Sequence, residues 1–311
     1  MFFPVHGLTF LSLPIGYKAL NDSLVIFGCG YIGLALAKEC VDLGWSVTAL
    51  TRNPNSARKA EELGVRPVVG NLQDSQWWSQ IPTEVDHVVN CVGASSPTVE
   101  GYQQSYLQGM QSIIQWIKQR GNPVRSLVFT SSSSVYPQTD GSLVDEESDT
   151  SQASARGQIL LSAERLCLEA SGPVAACKAV IRFSGLYGPG RHLLVDKIER
   201  GEPMTGSPDR ILNLLHRDDA VSSILALLHE SNGFSGGIFN ASDGQHATRG
   251  EIARWVAQRL KVPEPVFTGE GDTRGGDRRV DPSKIAQVLG WKPKFPNFQS
   301  GYEDFLASKI G

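Results

Sequence analysis

The stretch Leu24–Phe27, Gly28-Cys29-Gly30-Tyr31-Ile32-Gly33, followed by an apolar-periodic segment to about residue 43, leaves this chain few folds to choose from. A β-branched strand that runs through Gly-x-Gly-x-x-Gly straight into a helix needs each glycine for a separate reason. The first makes a tight turn, the second lets a charged group approach the backbone, and the third lets helix and strand pack closely. The helix that starts there presents unpaired N–H groups and a partial positive charge, which suit a phosphate. Gly28, Gly30 and Gly33, with the first helical residues Tyr31 and Ile32, are therefore the expected cradle for a dinucleotide pyrophosphate.

From Ser23 onward the same alternation repeats. Short β-branched runs at 24–27, 46–50, 66–69, 86–92, 126–130 and 177–183 are separated by amphipathic segments near 31–43, 55–63, 101–120 and 153–171. This rhythm predicts right-handed βαβ units and a parallel sheet covered on both faces. After Ser184 it breaks into Gly/Pro-rich loops, then a strand at 211–214, a helix over 218–230, a strand at 236–240, a helix from Thr248 to Leu260, and short helices after Asp281 and Phe298. The expected fold is α/β, a Rossmann doubly wound parallel sheet with a small C-terminal α/β substrate lobe. Residues 23–184 and 207–241 form the nucleotide-binding domain, 185–206 and 242–311 the lobe, and 1–22 an N-terminal extension.

At 311 residues, 41% hydrophobic and 20% charged, the chain can bury a full core. A net charge of −3 with scattered basic residues argues against a nucleic-acid partner. The cysteines, 5 in number, lack metal-ligand spacing and sit in apolar runs, so they read as reduced thiols, no metal site is expected, and the cytoplasm is the expected compartment. No apolar run reaches the length of a membrane helix, and no membrane partner is expected.

The end of the second strand bears on the cofactor. NAD sites usually place a carboxylate there to hold the ribose hydroxyls, whereas this chain places Thr51 and Arg52. An arginine pairs with a 2′-phosphate that a carboxylate would repel, which favours NADP over NAD.

These residues and those that follow resemble the extended short-chain dehydrogenase/reductase superfamily, and within it the NAD-dependent epimerase/dehydratase family. Gly70-Asn71-Leu72-Gln73-Asp74 is similar to the family's Gly-Asp-Leu-x-Asp adenine-pocket motif, with Asn71 replacing its first Asp. The stretch 89–95, which holds Cys91, Val92 and Gly93, is similar to the family's Asn-x-Ala-Gly strand end beside the cofactor. The run 128–137 resembles the catalytic serine strand, Ser-Ser-x-x-Val-Tyr-Gly; aligning Val135 and Tyr136 implies Ser132 as the catalytic hydroxyl, with Ser133 beside the substrate. Arg182-x-x-x-x-Tyr187-Gly-Pro-Gly is similar to the loop that leads into the substrate lobe, which implies substrate contacts from Tyr187, Arg191 and His192. The late Arg278-Arg279 and Leu289-Gly290-Trp291-x-Pro293 resemble the family's closing segment, where Arg279 would meet substrate phosphates; His216 reads as structural. The motifs occur in order over about residues 23–308.

One departure is large. Where the family carries Tyr and, four residues later, Lys, this chain carries Arg156 and Leu160. In the family the Tyr is the general acid/base and the Lys lowers its pKa and anchors the nicotinamide ribose. Arginine stays protonated and leucine is inert. The chain also resembles an atypical subset with Arg-Gly in place of Tyr-Gly and a Tyr, here Tyr106, in the preceding long helix. Three readings stay open. Arg156 binds or polarises a substrate while Tyr136, Tyr187, His192 or Ser132 supplies the proton; or the protein is a non-catalytic NADP-binding sensor or scaffold; or it reduces a non-sugar ketone. The resemblance implies a small-molecule substrate such as a nucleotide-sugar, and a homodimer paired through helices 101–120 and 153–171.

Overall fold

The computed structural model describes residues 21–229, 234–269 and 276–310. Its centre is a seven-stranded, wholly parallel sheet in the spatial order Gly236–Ala241, Ala175–Phe183, Val124–Ser132, His87–Asn90, Ser23–Phe27, Ser46–Thr51 and Arg66–Val69. The strands are β1 (Ser23–Phe27), β2 (Ser46–Thr51), β3 (Arg66–Val69), β4 (His87–Asn90), β5 (Val124–Ser132), β7 (Ala175–Phe183) and β10 (Gly236–Ala241). Two short parallel pairs lie outside it: β6 (Ser142–Val144) with β11 (Arg278–Val280), and β8 (Gly185–Tyr187) with β9 (Leu214–His216). The helices are α1 (Tyr31–Asp42), α2 (Pro54–Glu62), α3 (Val99–Tyr102), α4 (Gly109–Arg120), α5 (Ala155–Glu169), α6 (Leu193–Glu199), α7 (Arg217–His229), α8 (Arg249–Leu260), α9 (Ser283–Leu289) and α10 (Phe298–Ile310).

The strands are mostly apolar because both faces of the sheet are covered. On one face α1 and α7 close a core that includes Ile26, Leu36, Ile224 and Phe239; on the other α4 and α5 close one that includes Phe27, Trp77, Trp116 and Leu160. A third apolar cluster, with Tyr187, Ile198, Ile252 and Tyr302, lies among α6, α8 and α10. The chain runs from β1 outward to β3, then crosses back to place β4 on β1's other side. This reversal opens a crevice at the carboxyl ends of β1 and β4, where doubly wound sheets take ligands.

Several expected elements shift. The strand expected at 211–214 forms at Leu214–His216, because Ile211 makes only an isolated bridge to Thr248 and gives its N–H to Asp277 Oδ1. The expected helix 153–171 is shorter, since the Ser154 side chain caps it by accepting from Gly157 N. The long helix is interrupted by a π turn over Gln103–Gln108, which periodicity does not foretell. The short strands β6, β8 and β11, and the pairing of β8 with β9, have no counterpart in the expected elements. Trp291, assigned above to the lobe, packs on the nucleotide-binding layer and donates to Ser222 Oγ at 2.9 Å. Of the expected extension, residues 1–20 lie outside the described residues; Asp22 is held by Arg125 and lies 3.4 Å from His87 Nε2. Among the described residues no helix is long and apolar enough to cross a membrane.

Candidate functional site

The crevice at the switch point holds a cavity of about 610 Å³. Its floor is the glycine turn. Gly28 has φ +96°, and a Cβ there would lie 2.7 Å from Val92 N. A Cβ on Gly33 would lie 2.1 Å from Gly28 O. One on Gly30 would meet nothing within 4 Å, and Gly30 caps α1 without any side-chain bond, so the first turn's N–H groups at Tyr31 and Ile32 are left for a ligand. The turn is thus shaped as the glycine pattern requires, with open space only at the second glycine.

The other residues expected beside a cofactor converge on this cavity. Thr51, Arg52, Asn71, Leu72, Cys91, Val92 and Gly93 all line it. Thr51 Oγ1 accepts from Asn53 N, and Asn53 Oδ1 caps α2 by accepting from Asn55 N at 2.8 Å, which turns Arg52 outward at the rim. Asn53, Ser56, Gln104 and Ser105 also line the cavity, although no motif named them. Ser105 arrives there through the π turn; its Oγ accepts from Ser95 N at 3.0 Å while the Tyr106 hydroxyl accepts from Ala94 N at 3.2 Å. Both bonds pin the exit of β4. Burial pushes the Cys29 and Cys91 thiols up to about 11 and about 12, so neither is a nucleophile at neutral pH.

The expected catalytic and substrate residues divide. Ser132 is half-buried at the end of β5, where its Oγ accepts from Ser134 N at 3.1 Å and keeps its own proton to donate. Arg156 is exposed at the start of α5; its Nη1 donates to Pro97 O at 3.2 Å and its guanidinium stands 5.7 Å above the Tyr102 ring. Arg191 is exposed, with its guanidinium 5.5 Å from the Tyr31 ring. Ser133 is buried and uses its carbonyl to accept from Arg278 Nη2 at 2.7 Å.

Three assignments need correction. Tyr136 is 1% exposed; its hydroxyl donates to Asn240 Oδ1 at 2.7 Å and accepts from Arg182 Nη1 at 3.0 Å, so it serves the core and cannot hand a proton to a substrate. Burial pushes that phenol up to about 12. Tyr187 is buried, packed 4.7 Å from the Tyr302 ring and against the backbone of Gly301. His192 is buried and stacked flat on Phe305 at 3.5 Å. Arg279 is exposed on β11, where its Nε donates to Gly141 O at 3.0 Å. Its neighbour Arg278 is the buried cation of the two, 7% exposed, with Nε and Nη1 lacking a partner among the described residues. An alternating strand forces one of two adjacent arginines inward, and sequence cannot say which.

Behind the cleft lie buried titratable groups with a measurable consequence. Burial pushes His87 and His216 down to about 4, so both are neutral in the fold, and their stabilising share is lost as pH falls from about 6.5 toward 4. Burial pushes Asp243 up to about 8, so the folded chain keeps a proton that the unfolded chain has released, and stability falls as pH rises through 8. Asp219, also raised by burial, acts in the same direction. Above about pH 7 the histidine effect is nearly complete and the carboxyl effect dominates: urea unfolding should show a loss of about 1 kcal/mol between pH 7 and 8, and Asp243→Asn should flatten it. An unchanged slope in the variant would reassign the proton.

Comparison with known proteins agrees with this arrangement. Residues 24–242 match the family described as "NAD dependent epimerase/dehydratase family". Protein YeeZ of Escherichia coli (strain K12) is 26% identical over 285 residues, 88% of this chain and 96% of that protein. The UDP-glucose 4-epimerase of Lactobacillus helveticus is 23% identical over 309 residues, 88% of this chain and 92% of that one. Among solved structures, MoeE5 in complex with UDP-glucose and NAD superposes with a TM-score of 0.76 at 24% identity, covering 93% of this chain and 100% of that chain. With the glycine turn, the switch-point cavity and a match over most of its length, the chain belongs to the NAD-dependent epimerase/dehydratase family.

Proposed function

We propose that the protein is an NAD(P)-dependent oxidoreductase or epimerase/dehydratase-like enzyme acting on a nucleotide-sugar or similar small carbonyl or hydroxyl compound. The observation that carries this reading is the glycine turn at the cavity floor, closed at Gly28 and Gly33 and open at Gly30, beside a helix start with free N–H groups. Those residues fit a dinucleotide: Gly28, Gly30 and Gly33 with the amides of Tyr31 and Ile32 would take its pyrophosphate, and Asn71, Leu72, Cys91, Val92 and Gly93 would line its adenosine and ribose portions. A bound nicotinamide supplies hydride acceptance and donation. Ser132 then donates its hydroxyl proton as a hydrogen bond to the reacting oxygen. Arg156 offers a fixed positive charge to a developing oxyanion, which a tyrosine would not. The lobe of residues 185–206 and 242–311 closes over the substrate, with Arg191, Arg278 and Arg279 available to anionic groups. Two chains pair through helices 101–120 and 153–171.

Arg52 at the rim, with no carboxylate at the end of β2, favours NADP over NAD. Fluorescence titration of the full chain should show NADPH binding about 10- to 100-fold tighter than NADH, with the preference abolished in Arg52→Ala, as the loss of a charge-assisted bond requires. Equal affinities in the wild type would overturn NADP in favour of NAD, and no binding of either would remove the cofactor altogether.

A second reading rests on Arg156 and Leu160. Leu160 is 1% exposed in the core and Arg156 is engaged by Pro97 O, so the tyrosine and lysine chemistry of the family has no substitute in place. A non-catalytic NADP-binding sensor or scaffold is the alternative. It is favoured if NADPH binds and UDP-glucose and UDP-glucuronic acid are not turned over.

A further inference from the structure

A second cavity, of about 780 Å³, lies between α1 and α7 and is larger than the dinucleotide crevice. Its walls are Leu34, Ala35, Leu63, Val221, Leu225 and Trp291. Val221 and Trp291 are buried, and the other four are half-buried, so the cavity leaves apolar surface in water that packing of α1 on α7 does not cover. An apolar volume of this size with a few converging polar groups is the usual form of a small-molecule site.

The polar groups are concentrated at one end. Helices α1 and α7 both begin there, at Tyr31 and Arg217, and contribute the positive ends of two macrodipoles. The Tyr31 hydroxyl is buried without a hydrogen-bond partner among the described residues. Its ring is flanked by the guanidinium groups of Arg191 at 5.5 Å and Arg217 at 5.8 Å. Lys292 and Lys294, next to Trp291 in sequence, also line the cavity, and the Lys294 backbone lies beside Asp219 in the first turn of α7. The carboxylates nearby are already engaged: Asp218 Oδ1 accepts from Arg217 Nε at 2.9 Å, and Asp219 accepts from Lys294 N at 2.6 Å and Phe295 N at 3.0 Å. Further along α1, Lys38 is paired with Asp42, leaving Glu39 as the facing charge.

We propose that this cavity binds an amphipathic anion, a single alkyl chain ended by a carboxylate, with the carboxylate at Tyr31 and Arg217 and the chain along the α1/α7 walls. Charge complementarity selects the anion, and the apolar length behind it selects the chain. Gly30 lines both cavities, so an occupant touches the reverse side of the dinucleotide turn.

Calorimetric titration of the full chain with dodecanoate below its micellar concentration tests this, with dodecylamine and acetate as controls for charge and chain. Dodecanoate should saturate one site per chain, with each control about tenfold weaker or more. Ala35→Trp, which fills the cavity, and Arg217→Ala, which removes the cation, should each weaken dodecanoate about tenfold while thermal unfolding is retained. Should Ala35→Trp not fold, Arg217→Ala and the amine control still decide. The site is overturned if dodecanoate does not saturate, if dodecylamine binds equally well, or if Arg217→Ala leaves dodecanoate binding unchanged.

Discussion

Glu164→Leu should lower the unfolding midpoint by about 10 °C, the largest loss of stability expected from any single side chain behind the site. Glu164 and Arg182 are 2% and 3% exposed. The carboxylate takes Arg182 Nη2 at 2.7 Å and Nε at 3.1 Å, and Ser131 Oγ at 2.6 Å. Arg182 Nη1 passes the chain of bonds to Tyr136, and Tyr136 passes it to Asn240 on β10. Four elements, β5, α5, β7 and β10, are therefore joined by one buried polar network. Removing the carboxylate strands a guanidinium with no water to solvate it, at a cost of about 3 to 5 kcal/mol. Replacing both partners, Glu164→Leu with Arg182→Met, removes the stranded charge and should recover most of the loss. Circular dichroism melts of the four chains in the cycle measure it. A single-variant shift of 2 °C or less, or a double variant no better than the single, would show that water reaches the pair.

This network also explains why Tyr136 misleads a reader of the sequence. The motif around Ser132 names the strand correctly, and Ser132 does stand at the carboxyl end of β5. Tyr136 follows a 3-10 turn over Ser133–Val135 that rotates its ring inward, toward Arg182. Motif spacing records which residues are near a site but not which way such a turn sends them. His192 and Tyr187 fail for a related reason: each is placed by helix α10, 110 or more residues later, whose Tyr302 and Phe305 supply the rings they pack on.

What was legible follows from strict periodicity. Most positions in the strands of the main sheet are apolar because both faces are covered, and each βα turn repeats the same step, so the order of elements and the glycine cradle after β1 were readable from residues 23–184. Three-residue strands such as β8 and β9 have no period to read. The π turn at Gln103–Gln108, which carries Ser105 to the cavity, arises from helix packing against the exit of β4 and leaves no local signal.

Gly33→Ala should abolish dinucleotide binding and cost stability, while Gly30→Ala should cost binding alone. The added methyl at Gly33 would lie 2.1 Å from Gly28 O and 3.3 Å from Ile26 Cγ2, so α1 must move off β1. Neither neighbour can yield: Gly28 is itself fixed, its own Cβ position lying 2.7 Å from Val92 N. Core overpacking of this kind costs about 1 to 3 kcal/mol, and it displaces the amides that would face the pyrophosphate, so NADPH affinity should fall about 100-fold or more. At Gly30 the methyl meets no protein atom within 4 Å, and φ −99° suits alanine. It projects into the space a pyrophosphate needs, so the melting temperature should hold while NADPH affinity falls about tenfold. Melting curves and fluorescence titrations on the two variants separate fold from ligand. Undiminished NADPH binding in Gly30→Ala would place the pyrophosphate elsewhere, and with it the reason for a helix that begins without a cap.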